Sequence, residues 1–194
     1  MSNANILKKK HTIKIPKNIK VLYCDKKNLI TFIGSSQIKS LKVQVKLFLS
    51  SDLNMIMVTS IFASKTSATT IKNITKLQGT TVAKIKQILI EITYTLYHKL
   101  NLVGVGYRVF PYEQLNNQLY FKLGLSHLTY FRVPSSLNTH CQKFTKLFIF
   151  GVSSFNILTQ TAARIRAFKK PEPYKGKGIL YDQEKIILKK GKKV

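Results

Sequence analysis

Ile13-Lys14-Ile15-Pro16-Lys17-Asn18-Ile19 leads to Leu29-Ile30-Thr31-Phe32-Ile33-Gly34-Ser35, and Phe131-Arg132-Val133-Pro134-Ser135-Ser136-Leu137 leads to Lys146-Leu147-Phe148-Ile149-Phe150-Gly151-Val152. In each pair a strand-like run meets a proline, an apolar residue follows three positions later, and a second apolar run closes on a glycine. Proline cannot donate to a sheet ladder, so it marks a strand end or turn, and the glycine marks a bend or a close approach. A strand, proline turn, strand, glycine unit occurring twice predicts an internally duplicated chain.

Outward from these repeats, two helices are expected. From Thr81 the apolar residues Val82, Ile85, Leu89, Ile92, Leu96 and Leu100 recur three or four apart, with Gly79, Thr80 and Thr81 as the start signal and Lys84, Lys86, Glu91 and Lys99 off the apolar stripe. A second helix starts at Ser153 or Ser154, places Phe155, Leu158, Ala162 and Ile165 on one face, and stops before Pro171. Residues 41–49 alternate polar and apolar as a half-exposed strand does, and 55–62, 102–110 and 119–125 read as further strands. Residues 60–73 read as a mobile loop. The expectation is an α+β fold of two similar domains, 1–100 and 101–194, each a mainly antiparallel sheet of about four strands packed with one long helix. A basic extension occupies about 169–194.

Charge narrows the partner. The 194 residues carry 33 Lys plus Arg against 7 Asp plus Glu, a formal net charge of +26, while 44% of residues are hydrophobic. That much apolar content supports a folded core, and that much charge repels itself unless a polyanion neutralises it. No apolar run reaches the length of a membrane helix. The first twelve residues carry Lys8, Lys9 and Lys10 without an apolar stretch, which fits neither a secretory signal nor a mitochondrial presequence. All but four of the cations are lysines, and isoleucine and asparagine are plentiful, as an AT-rich genome tends to encode. Cys24 and Cys141 are expected to be buried reduced thiols.

The residues provide no convergent catalytic chemistry. Seven carboxylates are dispersed, and the two nearest, Asp182 and Glu184, lie in a lysine-rich tail where salt bridging is their expected role. His11, His98, His127 and His140 lack metal-ligand spacing. Gly104-Val105-Gly106 lacks the third glycine of a dinucleotide fingerprint and reads as strand glycines that permit close packing. No catalytic residue, metal or cofactor is therefore assigned. The tail differs: from Arg164 to Val194 eleven cations face three acids. Within it Lys169-Lys170-Pro171-Glu172-Pro173-Tyr174-Lys175-Gly176-Lys177-Gly178 sets cations and one aromatic between stiff prolines and close-approaching glycines. Lysines and arginines neutralise phosphates, Tyr174 can stack on a base, and Gly176 and Gly178 let backbone N–H groups reach oxygens. The expected RNA contacts from this tail are Arg164, Arg166, Lys169, Lys170, Tyr174, Lys175, Gly176, Lys177, Gly178, Lys185, Lys189 and Lys190.

Three stretches, residues 99–108 (Lys-Leu-Asn-Leu-Val-Gly-Val-Gly-Tyr-Arg), 123–127 (Leu-Gly-Leu-Ser-His) and 171–178 (Pro-Glu-Pro-Tyr-Lys-Gly-Lys-Gly), resemble the large-subunit ribosomal protein L-six family in order and spacing. In the N-terminal half the resemblance is thinner and rests on Ile15-Pro16, the strand ending at Gly34, and Gly79-Thr80. It implies two duplicated α+β domains and a structural, non-enzymatic role on the large ribosomal subunit, near the base of the factor-binding stalk and the sarcin–ricin loop. The implied partners are large-subunit rRNA, neighbouring ribosomal proteins and nearby translation factors, with no small-molecule substrate. It also adds Tyr107, Arg108 and His127 to the expected RNA-binding set. Departures from the pattern are Lys169 and Lys170 where the family favours arginine, Leu180 where a cation is common, Val82 where the helix start carries arginine, a poor fit over 64–73, and a long connection over 110–118.

Composition and divergence together suggest an organelle-encoded protein of the mitochondrial ribosome, with plastid or bacterial cytoplasm as the alternatives. A basic RNA-processing or RNA-binding protein outside the ribosome is the competing function. A peripheral membrane protein is disfavoured, because Pro171, Pro173, Gly176 and Gly178 break the basic segment and prevent an amphipathic helix.

Overall fold

A computed structural model describes residues 11–35, 37–50, 54–62, 73–112, 117–151 and 154–191. The chain divides into two compact units, Met1–Tyr94 and Thr95–Val194. All strand pairings among the described residues are antiparallel, and each unit adds one long helix to its sheets, so the α+β class holds.

In the first unit, strands β1 (Thr12–Lys14), β2 (Lys20–Cys24), β3 (Leu29–Ile33), β4 (Ile38–Lys42), β5 (Val45–Ser50) and β6 (Met55–Phe62) precede helix α1 (Ile74–Thr93). They form two three-stranded sheets, β1-β6-β5 and β2-β3-β4. Ile30, Phe32, Val45, Ile56 and Val58 meet Ile85, Leu89 and Ile92 of α1 in one apolar core. Glu91 departs from its expected place on the exposed face. It is buried, accepts a hydrogen bond from Gln87 Nε2 at 2.9 Å and pairs with Lys39 of β4. A buried carboxylate is tolerated only when it is paired and hydrogen-bonded in this way.

The second unit contains β7 (Leu96–Val103), β8 (Arg108–Pro111), β9 (Gln118–Lys122), β10 (Thr129–Arg132), β11 (Leu137–Gln142), β12 (Lys146–Gly151), α2 (Phe155–Ala167) and β13 (Gly178–Tyr181). Its sheets are β10-β9-β8 and β11-β12-β7-β13. Leu100, Leu119, Phe121, Leu137, Leu147 and Ile149 form the core with Leu158, Ala162 and Ile165 of α2.

The repeat is visible in the geometry. Ile19 N–H donates to Pro16 C=O at 3.1 Å, and Leu137 N–H donates to Pro134 C=O at 3.0 Å, the same turn in both units. Each turn feeds a hairpin, β2-β3 or β11-β12, that ends on Gly34 or Gly151. The likeness extends further when β10-β11-β12 are matched to β1-β2-β3 and β7-β8-β9 to β4-β5-β6. Every pairing of the first unit then recurs in the second, with the two halves of the strand order exchanged along the chain.

Several sequence expectations needed correction. α1 begins before Gly79-Thr80-Thr81 and ends at Thr93. The threonine hydroxyls bond back to the carbonyls of Lys76 and Gln78 and cap nothing. Leu96 and Leu100 share a face in a strand as well as in a helix, because a spacing of four satisfies both periods; they lie in β7. The runs 41–49 and 102–110 are each split by a bend, which raises the strand count above four per unit. Gly104 and Gly106 sit in the turn between β7 and β8 at positive φ, where the aromatic ring of Tyr107 packs over Gly104. Cys24 is exposed and Cys141 half-buried; both are free. The loop expected over 60–73 lies outside the described residues from 63 to 72, as does 113–116 of the long connection; Ser60 to Phe62 belong to β6.

At Gly34 the hairpin lies close against the helix, since a Cβ there would stand 2.2 Å from Ile92 Cγ2. We expect Gly34→Ala to destabilise the first unit by about 1–3 kcal/mol through overpacking. In denaturant unfolding, the double variant Gly34→Ala/Ile92→Ala should lose less than the sum of the two single variants, by at least about 0.5 kcal/mol.

Candidate nucleic-acid interface

The basic decapeptide is held in a defined shape. It follows the last turn of α2 and precedes β13, which pairs with β7 from Gly178↔Val103 to Tyr181↔Leu100. Ile179 N–H donates to Lys169 C=O, and Glu172 N–H donates to Lys177 C=O, both at 2.9 Å. These two bonds cross-link the outgoing and returning arms. Within them Gly176 N–H donates to Glu172 C=O at 2.9 Å, and Gly176 adopts φ +68°. Gly178 has no room for a side chain, because a Cβ would lie 2.6 Å from Pro171 Cα and the contact is backbone on both sides. Lys189 N–H donates to Pro173 C=O at 2.9 Å, so the chain after β13 returns to the loop.

This frame leaves the loop's polar side chains outward. Lys170, Lys175, Lys185, Lys189 and Lys190 are exposed, Lys169 and Lys177 are half-buried, and Tyr174 is 53% exposed. Arg164, on the exposed face of α2, and Arg108, on β8 opposite Lys122, are also exposed, as is His127 in the segment between β9 and β10.

Three members of the expected set lie elsewhere, the first being Gly178, which is buried against the backbone of Pro171. Tyr107 is 9% exposed and its ring packs over Gly104 and beside Gly124, so it belongs to the core and offers no face to a base. Arg166 is committed to Glu184: its Nε donates at 3.0 Å, its Nη2 donates to the second oxygen, and its guanidinium lies 5.4 Å from the Tyr181 ring centre. Hydrogen bonding to Arg166 holds the Glu184 carboxyl below the usual range and raises Arg166 in turn. The motif positions are visible in sequence, but their partners are not, since Glu184 lies beyond the loop.

The expected salt bridging of Asp182 and Glu184 is present. Lys99 Nζ approaches Asp182 at 2.5 Å, Asn101 donates to the same oxygen at 3.3 Å, and these bonds depress the Asp182 carboxyl. Both carboxylates tie the chain after β13 to the body of the unit. Among the described residues no cluster of three or more His, Cys, Asp or Glu side chains could hold a metal, and no helix is long and apolar enough to cross a membrane.

A family model described as Ribosomal protein L6 matches residues 103–182, the span from the end of β7 past β13. Curated relatives named large ribosomal subunit protein uL6 match over a wider span. The protein of Mesoplasma florum is 38% identical over 129 residues, covering 66% of this chain and 69% of the relative. That of Geotalea uraniireducens is 40% identical over 59% of this chain and 62% of its own length, and that of Chlorobium limicola is 43% identical over 52% and 54%. The matched region thus spans between about half and two thirds of these relatives. Fold and similarity define a ribosomal protein of the large-subunit class, structural and not enzymatic. The chain belongs to the ribosomal protein L6 family.

The Arg166–Glu184 pair gives a pH prediction. Because the folded carboxyl titrates below its unfolded value near about 4.3, its stabilisation is complete above that pH and is lost as pH falls through the folded value. Glu184→Gln should cost about 0.5–1 kcal/mol at neutral pH, discounted for partial exposure. The gap in melting temperature between this variant and the wild type should narrow as pH falls below the unfolded value and close once pH has passed the lower folded value.

Proposed function

We propose that this chain is a structural constituent of the large ribosomal subunit that binds large-subunit rRNA through its second unit and carries out no chemistry. One observation carries the reading: a cation-rich loop, cross-linked at both arms and seated between α2 and β13, lies within the region that matches the family. A pre-ordered loop loses little conformational entropy on binding, so its charge is available for affinity. The phosphate contacts are Lys169, Lys170, Lys175 and Lys177 with Arg164, Lys185, Lys189 and Lys190, while the backbone at Gly176 allows close approach. Arg108 and His127 extend the same RNA-binding set at the strand and loop that carry them. Lysine in place of the favoured arginine at 169 and 170 keeps the charge and loses the bidentate fork.

Within the subunit, the family resemblance supports a location near the factor-binding stalk base and the sarcin–ricin loop, beside neighbouring proteins and within reach of translation factors. The lysine, isoleucine and asparagine bias supports a mitochondrial ribosome. The relatives named above are bacterial, which favours bacterial cytoplasm among the alternatives, with plastid the other. Co-sedimentation of the tagged protein with large subunits from purified mitochondria is the expected outcome; sedimentation apart from any ribosomal particle would refute the assignment.

The loop is tested directly with an rRNA transcript. Lys175→Ala/Lys177→Ala should weaken binding and reduce the slope of log affinity against log salt by about 1–2, without change in the circular dichroism spectrum. Tyr174→Ala should cost on the order of 1 kcal/mol at high salt, where charge contributes least and stacking remains. An unchanged salt slope in the double variant would show that these lysines are merely solvated.

A further inference from the structure

We infer that the outer face of the β10-β9-β8 sheet is a second RNA contact, one that stacks unpaired bases. This rests on the reading of the chain as an rRNA-binding protein. On a three-stranded antiparallel sheet with one face on the core, the other face is ordinarily polar. Here Val109, Leu119 and Phe121 fill the core face, yet the opposite face carries rings as well.

The strand register aligns them. Phe110 lies opposite Tyr120, and Tyr120 lies opposite Tyr130, so three rings cross the sheet in a single row. Phe110 and Tyr120 are stacked with centroids 5.0 Å apart, and Tyr120 and Tyr130 stand 6.3 Å apart. Phe144, from the turn between β11 and β12, extends the row at 4.7 Å from Phe110, where the hydrogen bond from Val109 N–H to its carbonyl holds it. Tyr112 meets Tyr120 and Tyr130 edge-on. The two ends of the row are the open ones: Tyr130 is 57% and Phe144 47% exposed.

Cations frame the rings. Arg108 and Lys122 form a facing pair on one side of the row, Arg132 lies on the other, and Lys143 precedes Phe144; all four are exposed. No carboxylate occurs in the described residues of the three strands. Aromatic faces bounded by positive charge match a single-stranded nucleic acid, whose bases stack while its phosphates meet the cations. An apolar protein surface would leave the arginines and lysines without counter-charge.

The chain contains no tryptophan, so Tyr130→Trp gives a single reporter in the full-length protein. An oligoadenylate of about twelve nucleotides should quench its emission, and an abasic oligomer of equal length and charge should not. Tyr130→Ala should weaken oligoadenylate binding at high salt about fivefold or more while leaving the abasic oligomer unaffected. Equal affinity for the two oligomers, or binding without a change in emission, would overturn the inference. So would a Tyr130→Ala protein that binds oligoadenylate normally yet fails to enter large subunits, since a protein neighbour would then cover the face. Should the rRNA transcript still bind with its Lys175 and Lys177 dependence, the stacking inference alone falls. Should the transcript not bind at all, the ribosomal reading falls with it.

Discussion

The pairing of β13 with β7 is the constraint on which the second unit depends. It adds the fourth strand to the sheet under α2, buries Ile179 completely, and fixes the point to which the basic loop must return. That return is possible only because Gly178 lets the backbone pass against Pro171. With both ends set, the length of the loop leaves it one course, and the hydrogen bonds between Lys169 and Ile179 and between Glu172 and Lys177 close it. The outward direction of its lysines thus follows from a sheet pairing made almost wholly of apolar side chains.

Charge is managed by the same frame. A chain with this excess of cations has few carboxylates, and among the described residues Glu91, Asp182 and Glu184 hold elements together. Glu91 anchors α1 to β4 through Lys39, while Asp182 and Glu184 fasten the segment after β13 through Lys99 and Arg166. A partly exposed pair contributes modestly to stability. Its larger effect here is positional, since it fixes where the following lysines begin.

Local signals in the sequence are legible where one physical rule governs them. The proline turns at Pro16 and Pro134, the glycines at 34 and 151, the second helix and its stop before Pro171 each follow from a backbone restriction. Reading failed where two rules agree on one pattern, as at Leu96 and Leu100, whose spacing fits helix and strand alike. It failed again where a partner lies far along the chain. Nothing near Arg166 shows that Glu184 will take it, and Gly124, which with neighbouring Gly104 takes the Tyr107 ring, lies beyond β8 and β9 in the chain. The aromatic row was hidden for a related reason. Alternation exposes a strand only when its two faces differ, and Tyr120 and Phe121 put a ring on both.

The exchanged strand order of the two units has a consequence for the way the chain is made. In the first unit β2–β3, β3–β4 and β5–β6 join strands consecutive in the chain, while β1–β6 spans the whole run of strands, and the unit ends with its helix. In the second, β7 emerges first, yet its two neighbours in the sheet are β12 and β13, which emerge last. Contacts of such long sequence separation form late. The sheet under α2 therefore stays incomplete until β13 has been made, and a product terminated before β13 lacks both that strand and the geometry that shapes the basic loop. The basic loop thus takes its shape only in copies extended through β13.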